Sequence, residues 1–251
     1  MRILIWLFFL LIGRADVWAA GPKILFIGDS ITDGNWGNSV GSARPSSVRN
    51  HWDMNHIYGS GYMYLCASYY QGNYPEREYQ FFNRGISGNT LNDLKNRWEE
   101  DAIAIHADVV SVLIGTNDVN VYFKKKGREP FDFTSWERTY RSLLDSLRCD
   151  NPQVRFVLDE PFTACTGNMK KTDDFALRDS LIRHLGEIIL QIAVDYDAVF
   201  IPYALMSHNL RDESVNLPDT YWIWDGIHPT PAGHKRMADL WIEEIEKYHV
   251  L

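Results

Sequence analysis

Cysteine is scarce, basic runs are nearly missing, and no apolar segment is long enough to span a bilayer; each shortage removes a class of protein. The chain has 3 cysteines in 251 residues, Cys66, Cys149 and Cys165. None has the spacing of a metal site, and no His-Glu-x-x-His pattern occurs, so no catalytic metal is expected. Cys66 lies in an apolar helical stretch and reads as a buried thiol. Cys149 and Cys165 flank one predicted strand, and pairing between them is not expected, since sequence does not set their Cα separation. Acidic residues outnumber basic ones, 33 to 25, for a net charge of −8. Lys124-Lys125-Lys126 is the single basic cluster, which a solvated loop explains, so the chain lacks the electrostatic footprint of a nucleic-acid partner.

The longest uncharged apolar run, Ile3 to Ile12 after Arg2, is too short for a transmembrane helix. Small residues, Ala19 and Ala20, follow it where a signal peptidase would cut, so residues 1–19 are read as a secretion signal. A retained anchor is the competing reading, and length disfavours it. No cysteine follows the run to carry a lipid. Cleavage would remove Arg2, Arg14 and Asp16 and leave a net charge of −9. The expected product is secreted or periplasmic, with no membrane insertion after cleavage. Residues 20–251 contain no linker, repeat or low-complexity stretch and suit one α/β domain. Oligomeric state is not legible.

What is present begins at Lys23-Ile-Leu-Phe-Ile27, an apolar, β-branched-rich run that reads as a buried strand. It stops at Gly28-Asp29-Ser30. A serine at the C-terminal edge of a first parallel strand lies where open α/β sheets bind ligands, making Ser30 a candidate nucleophile. Gly-Asp-Ser is also ordinary turn and helix-cap chemistry, so the motif alone leaves both readings open. The nucleophile elbow of α/β-hydrolases is excluded, because it needs a small residue two after the serine and Thr32 stands there.

Residues 33–60 are rich in Gly, Ser and Asn and carry Trp36, Arg44, His51 and Trp52. So long a connection directly after Ser30 is expected to wall the site. Gly59–Tyr70 has helical spacing. A second strand, residues 79–83, runs into Arg84-Gly-Ile-Ser-Gly-Asn-Thr90, then one helix over 91–106. Gly88 is a candidate oxyanion donor, because glycine lets backbone approach a ligand and N–H groups at a helix start favour negative charge; a plain turn glycine is the alternative. A third strand, residues 108–114, is apolar on both faces and ends in Gly115-Thr-Asn117-Asp118. Asn117 there can donate a neutral N–H to developing charge. Residues 119–133 are read as a loop, 134–147 as a helix, 153–158 as a fourth strand ending near Glu160, 173–195 as an amphipathic helix, and 198–201 as a fifth strand. An irregular stretch then reaches Tyr221, and a last helix starts near Pro231. Just before it, Asp225 and His228 stand three apart, so one turn can carry a base and the carboxylate that orients it.

These blocks in this order resemble the SGNH/GDSL hydrolase family: the serine in Gly28-Asp-Ser30, the glycine in Asn83-x-x-x-Ser-Gly88, the asparagine in Gly115-x-Asn117-Asp, and the pair Asp225-x-x-His228. The resemblance, from Ile24 to about Leu240, implies a flavodoxin-like three-layer α/β/α sandwich with a parallel sheet of about five strands. It further implies ester hydrolysis through an acyl-enzyme on Ser30, with His228 as base, Asp225 as its partner, an oxyanion hole from Ser30, Gly88 and Asn117, and no cofactor. Family substrates include lipids, thioesters and acetylated carbohydrates. Trp36, Arg44, His51, Trp52, Trp222 and Trp224 near the expected site suit sugar faces, and no continuous apolar flap offers itself to a long acyl chain. A carbohydrate O-acetylesterase acting on a glycan ester is therefore the preferred reading, ahead of a lipase, lysophospholipase or thioesterase and of a catalytically silent glycan-binding domain.

Overall fold

The computed structural model describes residues 21–35, 58–125 and 129–251. Five strands, β1 (Lys23–Gly28), β2 (Gln80–Gly85), β3 (Val109–Leu113), β4 (Arg155–Asp159) and β5 (Val199–Ile201), form one sheet in the order β2-β1-β3-β4-β5. Every neighbouring pair is parallel.

The period-2 alternation of a strand explains how the sheet is covered. In β1, Ile24 and Phe26 face one side and Leu25 and Ile27 the other, all fully buried. The first pair packs with α2 (Tyr62–Asn73) and α9 (Pro231–Lys247) through Tyr62, Cys66, Met237 and Trp241. The second packs with α3 (Leu91–Asn96), α6 (Phe133–Asp150) and α7 (Phe175–Asp195) through Leu94, Leu144 and Ile189. The architecture is thus the expected three-layer α/β/α sandwich.

Strand order reverses between β1 and β3, which leave the sheet in opposite directions through their crossovers. The crevice at such a switch point is where open α/β sheets bind ligands. Ser30 opens a short helix, α1 (Ser30–Asp33), after β1, and α5 (Thr116–Lys124) starts just after β3, so both chain segments meet at that crevice.

Three expectations are corrected. The helix over 91–106 is broken: α3 ends at Asn96, Arg97 has φ −119° and ψ 10°, and α4 (Trp98–Asp101) follows. The loop placed at 119–133 is helical up to Lys124. The stretch before Tyr221 contains α8 (Tyr203–Glu213), whose first turn is capped from a distance: Glu160 Oε2 accepts from Ala204 N at 2.9 Å. Glu160 is thereby a helix cap, with burial first pushing its carboxyl up from the ordinary range.

Candidate active site

Ser30 sits in the first turn of α1 because Asp29 caps it, with Oδ1 accepting from Ile31 N at 3.0 Å. Gly28 precedes this turn for a steric reason. A Cβ there would lie 2.3 Å from the Leu113 carbonyl oxygen of β3, so only glycine lets the strands stay this close. The segment beyond is pinned by buried Asn83, whose Nδ2 donates to Thr32 O at 2.9 Å and Tyr58 O at 3.0 Å.

Ser30 Oγ and His228 Nε2 are 2.8 Å apart, across 198 residues of sequence, and His228 Nδ1 is 2.7 Å from Asp225 Oδ2. With Nδ1–H donating to the carboxylate, Nε2 is left to accept the serine proton. Asp225 Oδ1 accepts in addition from Ile227 N and His228 N, at 2.9 and 2.8 Å. Burial pushes the Asp225 carboxyl up, but the bonds from the His228 ring and the two main-chain N–H groups outweigh it and hold it below its usual range. The Asp225 hydrogen bond raises His228 above its ordinary value, against the opposing effect of burial.

Gly88 occupies a turn closed by Asn89 N donating to Ile86 O at 3.2 Å, and its φ of +82° is a conformation L side chains rarely adopt. Asn117 lies in the first turn of α5, where Nδ2 donates to Asn89 O at 3.2 Å and to Asp29 Oδ2 at 3.4 Å. Long bonds of this kind leave the amide held in place and weakly committed. Asp29 is fully buried, and desolvation lifts it to about 6. The five residues singled out from the motifs, Ser30, Gly88, Asn117, Asp225 and His228, therefore stand on segments converging at one sheet edge.

Four further residues belong to this neighbourhood and were not singled out. Asp118, next to Asn117, accepts from Leu91 N at 3.1 Å and from Trp136 Nε1 at 3.0 Å, tying α5 to α3 and α6; burial lifts it to about 7. His234 Nδ1 accepts from Tyr62 N at 3.1 Å and its ring stacks on that tyrosine. Burial, then the charge of His228, pulls it down to about 4, so it stays neutral as a cap on α2. Arg97 and Asn89 bridge the loops. Only adjacency to a motif residue could have marked Asp118 or Asn89 in advance; Arg97 and His234 carry no local signal.

Among the residues read as substrate-binding, Trp36, Arg44, His51 and Trp52 lie outside the described residues. Trp224 is 54% exposed one position before Asp225. Trp222 is half-buried: its ring packs against the core rather than standing free, and its enclosed Nε1 has no partner among the described residues. Among the described residues no group of three or more His, Cys, Asp or Glu could hold a metal ion, and no helix is long and apolar enough to cross a membrane. Cys66 is buried, and Cys149 and Cys165 are exposed and unpaired.

Residues 26–236 match the GDSL-like lipase/acylhydrolase family. An acetylxylan esterase from Geobacillus stearothermophilus is 35% identical over 236 residues, 90% of this chain and 94% of that protein. A crystal structure of a variant of that organism's acetyl xylan esterase Axe2 superposes with TM-score 0.71 at 31% identity, covering 90% and 95% of the two chains. Other Axe2 structures carry a serine, an aspartate or a histidine replaced and are described as catalytic mutants, the last two positions being three apart. A GDSL-like lipase structure from Parabacteroides merdae gives TM-score 0.76 at 28% identity, covering 90% and 96%.

Proposed function

The chain belongs to the GDSL-like lipase/acylhydrolase family and is a carboxylic ester hydrolase, and from that premise we propose that it removes O-acetyl groups from a carbohydrate, with xylan-type polysaccharides first among its substrates. The observation that carries the mechanism is the unbroken relay from Ser30 Oγ through the His228 ring to Asp225 at 2.8 and 2.7 Å.

Ser30 Oγ attacks the acetyl carbonyl while His228 Nε2 takes its proton; Asp225 holds the ring tautomer and stabilises the imidazolium. The negative charge on the carbonyl oxygen is met by the main-chain N–H groups of Ser30 and Gly88 and by Asn117 Nδ2. Such preorganised donors are worth about 3 kcal/mol each. His228 then gives its proton to the sugar alkoxide, which leaves. Water, deprotonated by the same nitrogen, attacks the acetyl-Ser30 ester; as acetate leaves, His228 returns that proton to Ser30 Oγ and restores the enzyme.

Two observations favour acetyl and sugar over a long acyl chain. A relative with acetylxylan esterase activity aligns over nine tenths of the chain, and the exposed Trp224 ring beside Asp225 suits a sugar face. Export belongs to the same reading, carried by the apolar run from Ile3 to Ile12; recovery of a cell-associated chain that keeps residues 1–19 counts against it.

The test is acetate release by residues 20–251 from acetylated xylan and other acetylated polysaccharides, with Ser30→Ala alongside, and nitrophenyl esters of increasing acyl length. Serine-dependent acetate release and fastest turnover of the acetyl ester are expected. Faster octanoyl than acetyl hydrolysis, with polysaccharides untouched, overturns the carbohydrate reading in favour of a lipase.

A further inference from the structure

The break in the helix after β2 falls on Arg97, and the side chain at that break reaches the proposed oxyanion hole from behind. It closes α3 and opens α4, and with only 14% of its side chain exposed it is satisfied by three different segments. Nη1 donates to Asp101 Oδ2 at 2.6 Å within its own helix. Nη2 donates to the main-chain oxygen of Gly28 at 3.1 Å, two residues before Ser30. Nε donates to Asn89 Oδ1 at 2.8 Å, one residue after Gly88. Asn89 in turn presents its own main-chain oxygen to Asn117 Nδ2 at 3.2 Å. One planar guanidinium therefore spans the carriers of all three oxyanion donors, the strand end before Ser30, the turn after Gly88 and, through Asn89, the Asn117 amide.

We propose that Arg97 is a positioning residue that sets the separation of the oxyanion donors by clamping Gly28 and Asn89 together. The proposal rests on the reading of Ser30, Gly88 and Asn117 as those donors. The rigid fork of arginine is required, because a lysine ammonium is a single point of charge on a flexible stem and does not reach Gly28 O, Asn89 Oδ1 and Asp101 in one geometry. Asp101, buried beneath, holds the charge in place.

The experiment compares Arg97→Lys and Asn89→Ala with Arg148→Lys. Arg148 is another half-buried arginine, over the Phe156 ring at 4.9 Å and donating to Tyr196 O at 3.3 Å, near the end of α6, away from the site. The readouts are kcat and KM for p-nitrophenyl acetate, affinity for phenylboronic acid, and melting temperature. The boronate forms a tetrahedral anion on the nucleophile, so its binding reports on the oxyanion donors. Arg97→Lys is expected to lower kcat about 10- to 100-fold, the scale of a donor misplaced by roughly 1 Å, with KM within about twofold and boronate affinity falling by a like factor. Asn89→Ala, which keeps the main chain, should show the same pattern at about 3- to 10-fold. Arg148→Lys should lower the melting temperature without this kinetic signature.

Unchanged kcat in a folded Arg97→Lys or in Asn89→Ala overturns the inference, as does an equal kcat loss in Arg148→Lys. Should Arg97→Lys not fold, Asn89→Ala decides alone. Ser30→Ala separates the two levels: if it retains turnover the whole site reading fails, whereas an inactive Ser30→Ala beside a fully active Arg97→Lys and Asn89→Ala removes only the clamp.

Discussion

Asp225 grips His228 twice, accepting from the ring Nδ1 with Oδ2 at 2.7 Å and from the main-chain N–H with Oδ1 at 2.8 Å. One carboxylate thus fixes both the turn and the imidazole orientation. Asp225→Asn keeps the shape of the turn but puts an amide opposite Nδ1 and favours the wrong tautomer. A kcat loss of about 10³- to 10⁴-fold for p-nitrophenyl acetate is expected, with little change in melting temperature. A loss under tenfold would mean that His228 does not depend on this carboxylate.

The same pair sets the acid limb of the pH profile. Only neutral His228 can accept the Ser30 proton, so kcat/KM must rise with pH through the His228 titration. Asp225 raises that value above 6.5, so the wild-type limb lies above the ordinary histidine range, and removing the carboxylate in Asp225→Ala moves the residual limb to lower pH. A limb that stays in place assigns it to another group, and buried Asp29, at about 6, stands next in line.

Asn117 offers a donor test free of proton chemistry. Asn117→Ala should lower kcat about 10²- to 10³-fold, or about 3 to 4 kcal/mol of transition-state stabilisation. KM should change little, because the ground-state carbonyl needs the amide less than the tetrahedral oxyanion does. A rise in KM at constant kcat would make Asn117 a substrate-binding residue instead.

The strands and the five motif residues were legible because each is a local fact: apolar runs end in Gly28, Gly85 and Gly115, and the chemistry follows within a few positions. What escaped depends on partners distant in sequence. The first turn of α8 is satisfied by Glu160, 44 positions earlier, and the break at Arg97 is stabilised by Gly28 and Asn89 across the sheet edge. Trp222 packs against the core whereas Trp224 is exposed, a tertiary difference that composition does not carry. The loop expectation over 119–133 failed because Asp118 anchors the first turn of α5 to Leu91 and Trp136, whereas the local sequence shows only mixed charge.

Gly88 separates backbone strain from crowding. A Cβ there meets nothing within 4 Å, yet φ is +82°, so Gly88→Ala fits in space and is strained in conformation. A stability loss of about 1 kcal/mol is expected, together with a kcat loss larger than that strain alone implies, because relaxing the turn re-aims the Gly88 N–H. A variant as active as wild type would remove Gly88 from the set of donors.

Asp159 gives the last test, far from chemistry but decisive for the core. It is fully buried at the end of β4, where Ser111 Oγ donates to Oδ2 at 2.7 Å, Trp241 Nε1 donates to Ser111 at 3.1 Å, and Oδ1 has no partner among the described residues. Burial pushes its carboxyl well above the ordinary range, with the Ser111 bond only partly offsetting it, so the folded protein holds this proton to higher pH than the unfolded chain does. The sign follows: the unfolded state binds fewer protons over this window, so stability falls as pH rises from about 4 toward the folded-state value. Each pH unit costs about 1.4 kcal/mol from this group. Asp159→Asn cannot ionise and escapes that slope. Its melting temperature relative to wild type should therefore climb as pH rises above about 4 and level off once the folded-state value is passed, whatever its offset at pH 4. A constant difference between the two proteins over that range would mean that Asp159 is charged in the fold and that the interior around Ser111 and Trp241 holds an anion.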